Sequence, residues 1–277
     1  MRVGYLGPAG TYSEEALRAS APGAVDEVPY PAIRDAVMAV QQGDVERAVV
    51  PIENALEGSV AVTLDTLVAD APEVRIASEL VHPIRHCLVA RSELALESVR
   101  RVVSHPQATA QCARFLRERL PGAERVLAPS TADAVRSLQD AGDFVAALGS
   151  RLAAELYGCV VLADDAGDHP DNSTRFVWLA RAEDALLAEG PDAKTTVVFW
   201  GGGDRSPGWL VAVLGELASR GVNLTRIESR PRRTVLGHYM FFADLEGGAE
   251  RPPVSEALTA LAGHVDELRV LGSYPSS

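Results

Sequence analysis

The run Asn172-Ser173-Thr174-Arg175-Phe176 sets a hydroxyl, a guanidinium and an aromatic ring side by side at the mouth of the apolar stretch Phe176-Val177-Trp178-Leu179. That stretch predicts a buried strand, and strand ends are where α/β sheets gather side chains around small ligands. Arg175 beside Thr174 has the chemistry to fix a carboxylate while donating a second hydrogen bond. The same residues also fit an ordinary strand edge carrying a solvated arginine.

Four further polar clusters fall at predicted strand ends or helix starts. Gly7-Pro8-Ala9-Gly10-Thr11-Tyr12-Ser13 is a glycine-rich turn into a helix, with Thr11 and Glu14 at capping-box spacing; its free amides suit an anion, or simply form a capped turn. It matches neither the dinucleotide nor the nucleotide loop pattern. Glu53-Asn54, after the apolar Ala48–Ile52, would receive or orient a substrate hydroxyl, or lie in solvent. In Ser104-His105-Pro106-Gln107, Ser104 is a candidate N-cap, and Gln111 shares a helix face with Gln107. Ser130-Thr131 most simply caps the next helix. His82 and His86 have a spacing that suits a metal only on a helix, and Pro83 with Cys87-Leu88-Val89 predicts extended chain there.

Positioning these groups requires alternating elements. Strands are expected at 2–6, 48–52, 74–77, 87–90 and 102–104, and helices from about Ser13, at 33–41, 107–119 and 132–139. Such alternation predicts parallel sheets flanked by helices. Residues 182–193, acidic and broken by Gly190-Pro191, are the expected linker. Beyond them the pattern strand, helix, strand, strand, helix, strand is the ferredoxin-like βαββαβ order, while Gly201-Gly202-Gly203-Asp204 is expected to be a flexible turn.

With 277 residues and 47% hydrophobic composition, two domains are the default expectation. The net charge of −12 argues against nucleic acid or anionic membrane partners and requires any anionic substrate to meet a local cationic pocket. Neither a signal-peptide apolar region nor a long apolar span is apparent, so the expected location is cytoplasmic. Cys87, Cys112 and Cys159, three and far apart, are expected to be free thiols.

In chain order, Gly7 to Ser13, Pro51-Ile52-Glu53-Asn54, Ser104 to Cys112 and Asn172 to Phe176 resemble the catalytic motifs of the prephenate dehydratase family, and Gly221 to Pro231 is similar to the signature of its C-terminal ACT domain. The resemblance spans nearly the whole chain. It implies an α/β catalytic domain over 1–181, two-lobed like type II periplasmic binding proteins, with lobe one at 1–77 and 161–181 and lobe two at 78–160. The linker at 182–193 and a ferredoxin-like ACT regulatory domain at 194–277 follow. Two departures stand out: Ala55 where the family usually has Ser, and Trp209 in Gly208-Trp209-Leu210 where it has Gly-Ala-Leu.

The implied reaction converts prephenate to phenylpyruvate, carbon dioxide and water, driven by aromatisation, with no metal or other cofactor. Thr174 is the expected donor to the leaving hydroxyl, and Arg175 the expected partner of the pyruvyl carboxylate, since pairing it to the ring carboxylate would stabilise the charge that decarboxylation disperses. Asn54, Ser104 and Gln111 would position the substrate, Glu53 would serve as proton source only if burial raises its pKa, and Phe176 would wall the pocket. Thr11, Ser13, Asn172, Ser130 and Thr131 complete the expected substrate site. L-Phenylalanine is the expected effector, at Gly208, Trp209, Leu210, Asn223, Leu224, Glu228, Ser229 and Arg230, in a homodimer or homotetramer. Rival readings are arogenate dehydratase, prephenate decarboxylase, which lacks the threonine of this motif, and a non-catalytic solute-binding protein.

Overall fold

The computed structural model describes residues 1–190, 192–203 and 206–276; Pro191 of the expected linker and Asp204 of the glycine-run turn lie outside them, as do Arg205 and Ser277. The chain opens with β1 (Arg2–Leu6), α1 (Tyr12–Ser20), β2 (Asp26–Tyr30), α2 (Ile33–Gln42), β3 (Arg47–Asn54), β4 (Gly58–Ser59), α3 (Ala61–Ala69) and β5 (Val74–Pro83). It continues through β6 (Cys87–Ala90), β7 (Arg101–Ser104), α4 (Pro106–Gln111), α5 (Ala113–Arg119), β8 (Glu124–Leu127), α6 (Thr131–Arg136), β9 (Val145–Gly149), α7 (Arg151–Leu156), β10 (Val160–Ala163) and β11 (Ser173–Arg181). One sheet has the order β2-β1-β3-β11-β5 with β4 on β3, and a second the order β10-β6-β9-β7-β8.

The second sheet is mixed, which corrects the expectation of parallel sheets: β7 runs parallel to β8 and β9, but β6 is antiparallel to both β9 and β10. Helices cover both of its faces, so β6 is apolar throughout. Leu88 packs with Val102, Leu116 and Leu148 on one side, while Cys87 and Val89 pack with Val135, Leu138 and Ala153 on the other. The helix expected over 107–119 is two helices, because Cys112 leaves helical geometry at φ −113°, ψ 18°.

Close packing fixes the helices that carry the polar clusters. A Cβ at Gly149 would overlap Val135 Cγ2, so α6 can lie directly on β9 only over a glycine. Gly10, at φ +91°, turns the chain into α1 and brings its carbonyl to the buried Ser150 hydroxyl, which donates to it at 2.8 Å.

The C-terminal segment comprises β12 (Ala193–Trp200), α8 (Trp209–Ala218), β13 (Leu224–Pro231), β14 (Tyr239–Glu246), α9 (Val254–Ala262) and β15 (Glu267–Pro275). Its antiparallel sheet, β13-β14-β12-β15, is the ferredoxin-like arrangement. Both helices pack on one face around Val197, Phe199, Val213, Leu217, Leu245 and Leu261. Two compact units are distinguishable, residues 1–36, 49–63 and 80–176, and residues 37–48, 64–79 and 177–276. Among the described residues no helix is long and apolar enough to cross a membrane.

Candidate active site

Within the first unit a cavity of about 760 Å³ collects side chains from elements far apart in sequence. Thr11, Tyr12 and Ser13 enter from the start of α1, Asn54 from the end of β3, His86 from the chain before β6, and His105, Gln107 and Gln111 from α4 and its cap. Ser130 and Thr131 enter at the start of α6, and Thr174 and Phe176 from β11.

Glu53, Ser104, Asn172 and Arg175 do not line the cavity. Successive strand residues point to opposite faces, so Thr174 and Phe176 face the cavity while Arg175 between them turns away, and Asn54 faces it while Glu53 does not. The two excluded side chains meet each other: Arg175 Nη2 lies 3.2 Å from Glu53 Oε2. Glu53 is 38% exposed and ion-paired, so it is not the buried carboxyl its expected proton-source role requires. Ser104 is not an N-cap; its Oγ donates to the Leu148 carbonyl at 3.0 Å, and the cap of α4 is His105, whose Nδ1 accepts from Gln107 N. The expected cationic pocket is also missing, for among the described residues the cavity lining contains no Lys or Arg.

A chain of hydrogen bonds sets the orientation of the polar groups, and its starting point is unambiguous. The backbone amides of Leu56 and Glu57 both donate to Asn54 Oδ1 at 3.0 Å, which fixes the side-chain amide. Asn54 Nδ2 therefore donates, reaching Thr174 Oγ1 at 2.9 Å and both Asn172 Oδ1 and the Ser173 carbonyl at 3.0 Å. Because the Thr174 oxygen accepts from Asn54, its own proton is left to point elsewhere. Asn172 in turn uses Nδ2 to donate to Gln111 Oε1 at 3.1 Å, and so supports the site without lining it. Gln111 Nε2 donates to Glu57 Oε1 at 3.2 Å.

At the start of α1, Thr11 caps the helix, donating to the Leu6 carbonyl at 2.6 Å and accepting from Glu14 N at 3.4 Å. Ser13 in the first turn lines the cavity, among helix amides that lack an intrahelical acceptor. Ser130 Oγ caps α6 by accepting from Asp133 N at 2.9 Å and donates to Asp133 Oδ2 at 2.8 Å. Thr131 follows it at the cavity wall. Tyr12, His86 and His105 were not among the expected site residues; His86 and Tyr12 are joined by a 2.8 Å hydrogen bond. His82 lies near the end of the extended β5 rather than on a helix with His86, and meets Glu15 at 3.1 Å.

In the second unit a smaller cavity, about 210 Å³, is bounded by Gly208, Trp209 and Leu210 with Tyr239 and Phe241. The Trp209 indole donates to the His264 carbonyl at 2.7 Å, with its ring 5.8 Å from that of Phe241. Asn223, Leu224, Glu228, Ser229 and Arg230 do not bound this cavity. Arg230 is held by Asp65 of α3 at 3.2 and 2.8 Å, and Glu228 by Arg226 at 2.5 Å.

A largely apolar cavity on which a few hydroxyl and amide groups converge, set in an α/β body and followed by a ferredoxin-like βαββαβ module, defines a small-molecule enzyme with an appended regulatory domain. The family model for prephenate dehydratase matches residues 3–184, and that for the ACT domain residues 195–263. The chain belongs to the prephenate dehydratase family, whose activity is that of a lyase. It is 43% identical over 288 residues to a prephenate dehydratase of Mycolicibacterium vanbaalenii, covering 99% of this chain and 91% of that one. Among solved structures it is similar to the prephenate dehydratase of Arthrobacter aurescens in complex with L-Phe, with a TM-score of 0.91, 41% identity, and 99% and 90% of the two chains covered. It is also similar to GqqA, described as a novel type of quorum quenching acylase, with a TM-score of 0.90, 32% identity, and 100% and 98% covered.

Proposed function

We propose that the cavity binds prephenate and that Thr174 supplies the hydrogen bond under which the substrate hydroxyl leaves. The observation that carries this is the 2.9 Å bond from Asn54 Nδ2 to Thr174 Oγ1, which occupies the oxygen as acceptor and leaves its proton for the substrate. In the reaction the bond to the ring carboxylate breaks, releasing carbon dioxide. Its electron pair enters the ring and expels the hydroxyl, which becomes water by taking a proton from solvent. The Thr174 hydrogen bond strengthens as negative charge grows on the departing oxygen, so it favours the transition state over the ground state.

With Arg175 turned away, the pyruvyl carboxylate is assigned to Ser13, Thr131 and the first-turn amides of α1, where the helix dipole favours negative charge. The ring carboxylate is left without a strong partner, which favours its loss. Phenylpyruvate appearing by ultraviolet absorbance when purified protein meets prephenate tests the reading. Thr174→Val should lower kcat roughly 10²- to 10³-fold, the usual cost of a lost transition-state donor, while Thr174→Ser, which keeps the hydroxyl, retains most of it. A folded Thr174→Val variant with unchanged kcat would reject the assignment.

L-Phenylalanine is proposed as effector, supported by its presence in the Arthrobacter complex and by the small cavity beside Trp209. A homo-oligomer is proposed with it, since a subunit interface lets an effector shift a quaternary equilibrium. Division at 1–181, 182–193 and 194–277 is supported by the family matches at 3–184 and 195–263, and lobes at about 1–77 plus 161–181 and 78–160 are proposed on the two separate sheets, β2-β1-β3-β11-β5 and β10-β6-β9-β7-β8. Free Cys87, Cys112 and Cys159 suit the reducing cytoplasm, the proposed location.

A further inference from the structure

We propose that His86 is a positioning residue for the dehydration, holding the Gln111 amide in the one orientation that presents an N–H to the substrate; the inference rests on the prephenate reading above. His86 is buried at 4% exposure, and its Nε2 lies 2.9 Å from Gln111 Oε1 while its Nδ1 lies 2.8 Å from the Tyr12 hydroxyl.

The direction of every bond in this chain follows from the two backbone amides that anchor Asn54. Asn54 donates to Asn172 Oδ1, Asn172 donates to Gln111 Oε1, and that oxygen is therefore an acceptor. His86 must then carry its proton on Nε2 to donate to it. Burial holds the imidazole below its ordinary pKa, so the ring is neutral and Nδ1 accepts from the Tyr12 hydroxyl. That hydroxyl also lies 3.0 Å from the Arg85 carbonyl, its alternative acceptor.

With Oε1 doubly occupied, Gln111 cannot flip without setting its NH₂ against two donors. Its Nε2 carries two hydrogens; one reaches Glu57, and the other is available to the cavity that Gln111 lines. His86 thus acts through Gln111, and what it contributes is one N–H at one place.

The test separates that role from mere packing. Prephenate turnover, kcat and KM are measured for the full chain and for His86→Leu, His86→Gln and His86→Asn, with thermal melts to confirm folding. Loss of the orienting bond in His86→Leu should lower kcat about ten- to a hundredfold. His86→Gln, whose terminal N–H reaches the place of Nε2, should recover most of that loss. His86→Asn, whose polar atoms reach only the place of Nδ1 near Tyr12, should not. His86→Leu combined with Gln111→Ala should be no slower than Gln111→Ala alone. Wild-type kcat in a folded His86→Leu variant, equal rescue by Asn and Gln, or additive losses in the double variant would each overturn the inference. If His86→Leu does not fold, the Gln and Asn comparison decides it. Absence of turnover by the unmodified chain would instead reject the prephenate reading.

Discussion

Thr174 and Arg175 are neighbours in sequence and opposites in space, and the distinction carries experimental weight. The Arg175 side chain is 9% exposed and paired with Glu53, so its removal should be felt in folding. Arg175→Ala is expected to cost about 1–3 kcal/mol, less than the roughly 3–5 of a wholly buried pair because Glu53 keeps part of its hydration. Denaturant titration measures that loss, and KM for prephenate should stay near its original value; a large rise in KM with unchanged stability would return Arg175 to the carboxylate. The motif spelled out which residue types gather at the strand mouth, but strand phase decides which of two adjacent side chains faces the ligand. A stretch such as Ser173-Thr174-Arg175 has no apolar alternation to reveal that phase. His86 gave no signal either, since a histidine before the wholly apolar Cys87–Ala90 looks the same whether it packs or positions.

Helix α6 shows how a catalytic wall depends on a residue outside it. Gly149 of β9 lies under Val135, and Gly149→Ala forces α6 outward with Ser130 and Thr131 on its first turn. Overpacking of this kind costs about 1–3 kcal/mol. Because Thr131 is proposed to hold the pyruvyl carboxylate rather than the leaving group, KM should rise more than kcat falls, as steady-state kinetics at a temperature where the variant is folded would show. A fall in kcat alone would mean that α6 stays in place or that its hydroxyls act in the chemical step. At this scale the ferredoxin-like order and the longer amphipathic helices were legible in sequence, with α2 found at Ile33–Gln42 against an expected 33–41. The strands β2, β4, β8, β9 and β10 and the helices α3 and α7 were not. Edge strands such as β2 and β8 bury too little to show a pattern. Elsewhere small or uniformly apolar residues erase the period: β9 reads Val-Ala-Ala-Leu-Gly and α3 is apolar nearly all round.

For the whole molecule, the test of regulation is best made in the full chain. Trp209→Ala enlarges the small cavity and removes the bond to His264, so it should change the affinity for L-phenylalanine, read by calorimetry, more than it changes KM for prephenate. Equal changes in both would argue that Trp209 serves folding alone. Truncation after residue 182 is a poorer experiment, because the second unit joins the C-terminal segment to residues 37–48 and 64–79. Lys194 pairs with Glu79 at 2.5 Å, Arg230 with Asp65, and Arg269 donates to the Val68 carbonyl at 2.9 Å. Gly272 also passes so close to the Ile76 backbone that a Cβ there would overlap it. A chain lacking all of these should be aggregation-prone rather than a feedback-free enzyme, which its yield and solubility against the full chain would show. The same discontinuity orders events during synthesis. Residues 37–48 and 64–79 leave the ribosome long before the segment beyond 177 that completes their unit, so the nascent chain carries an unfinished apolar surface until translation is nearly over.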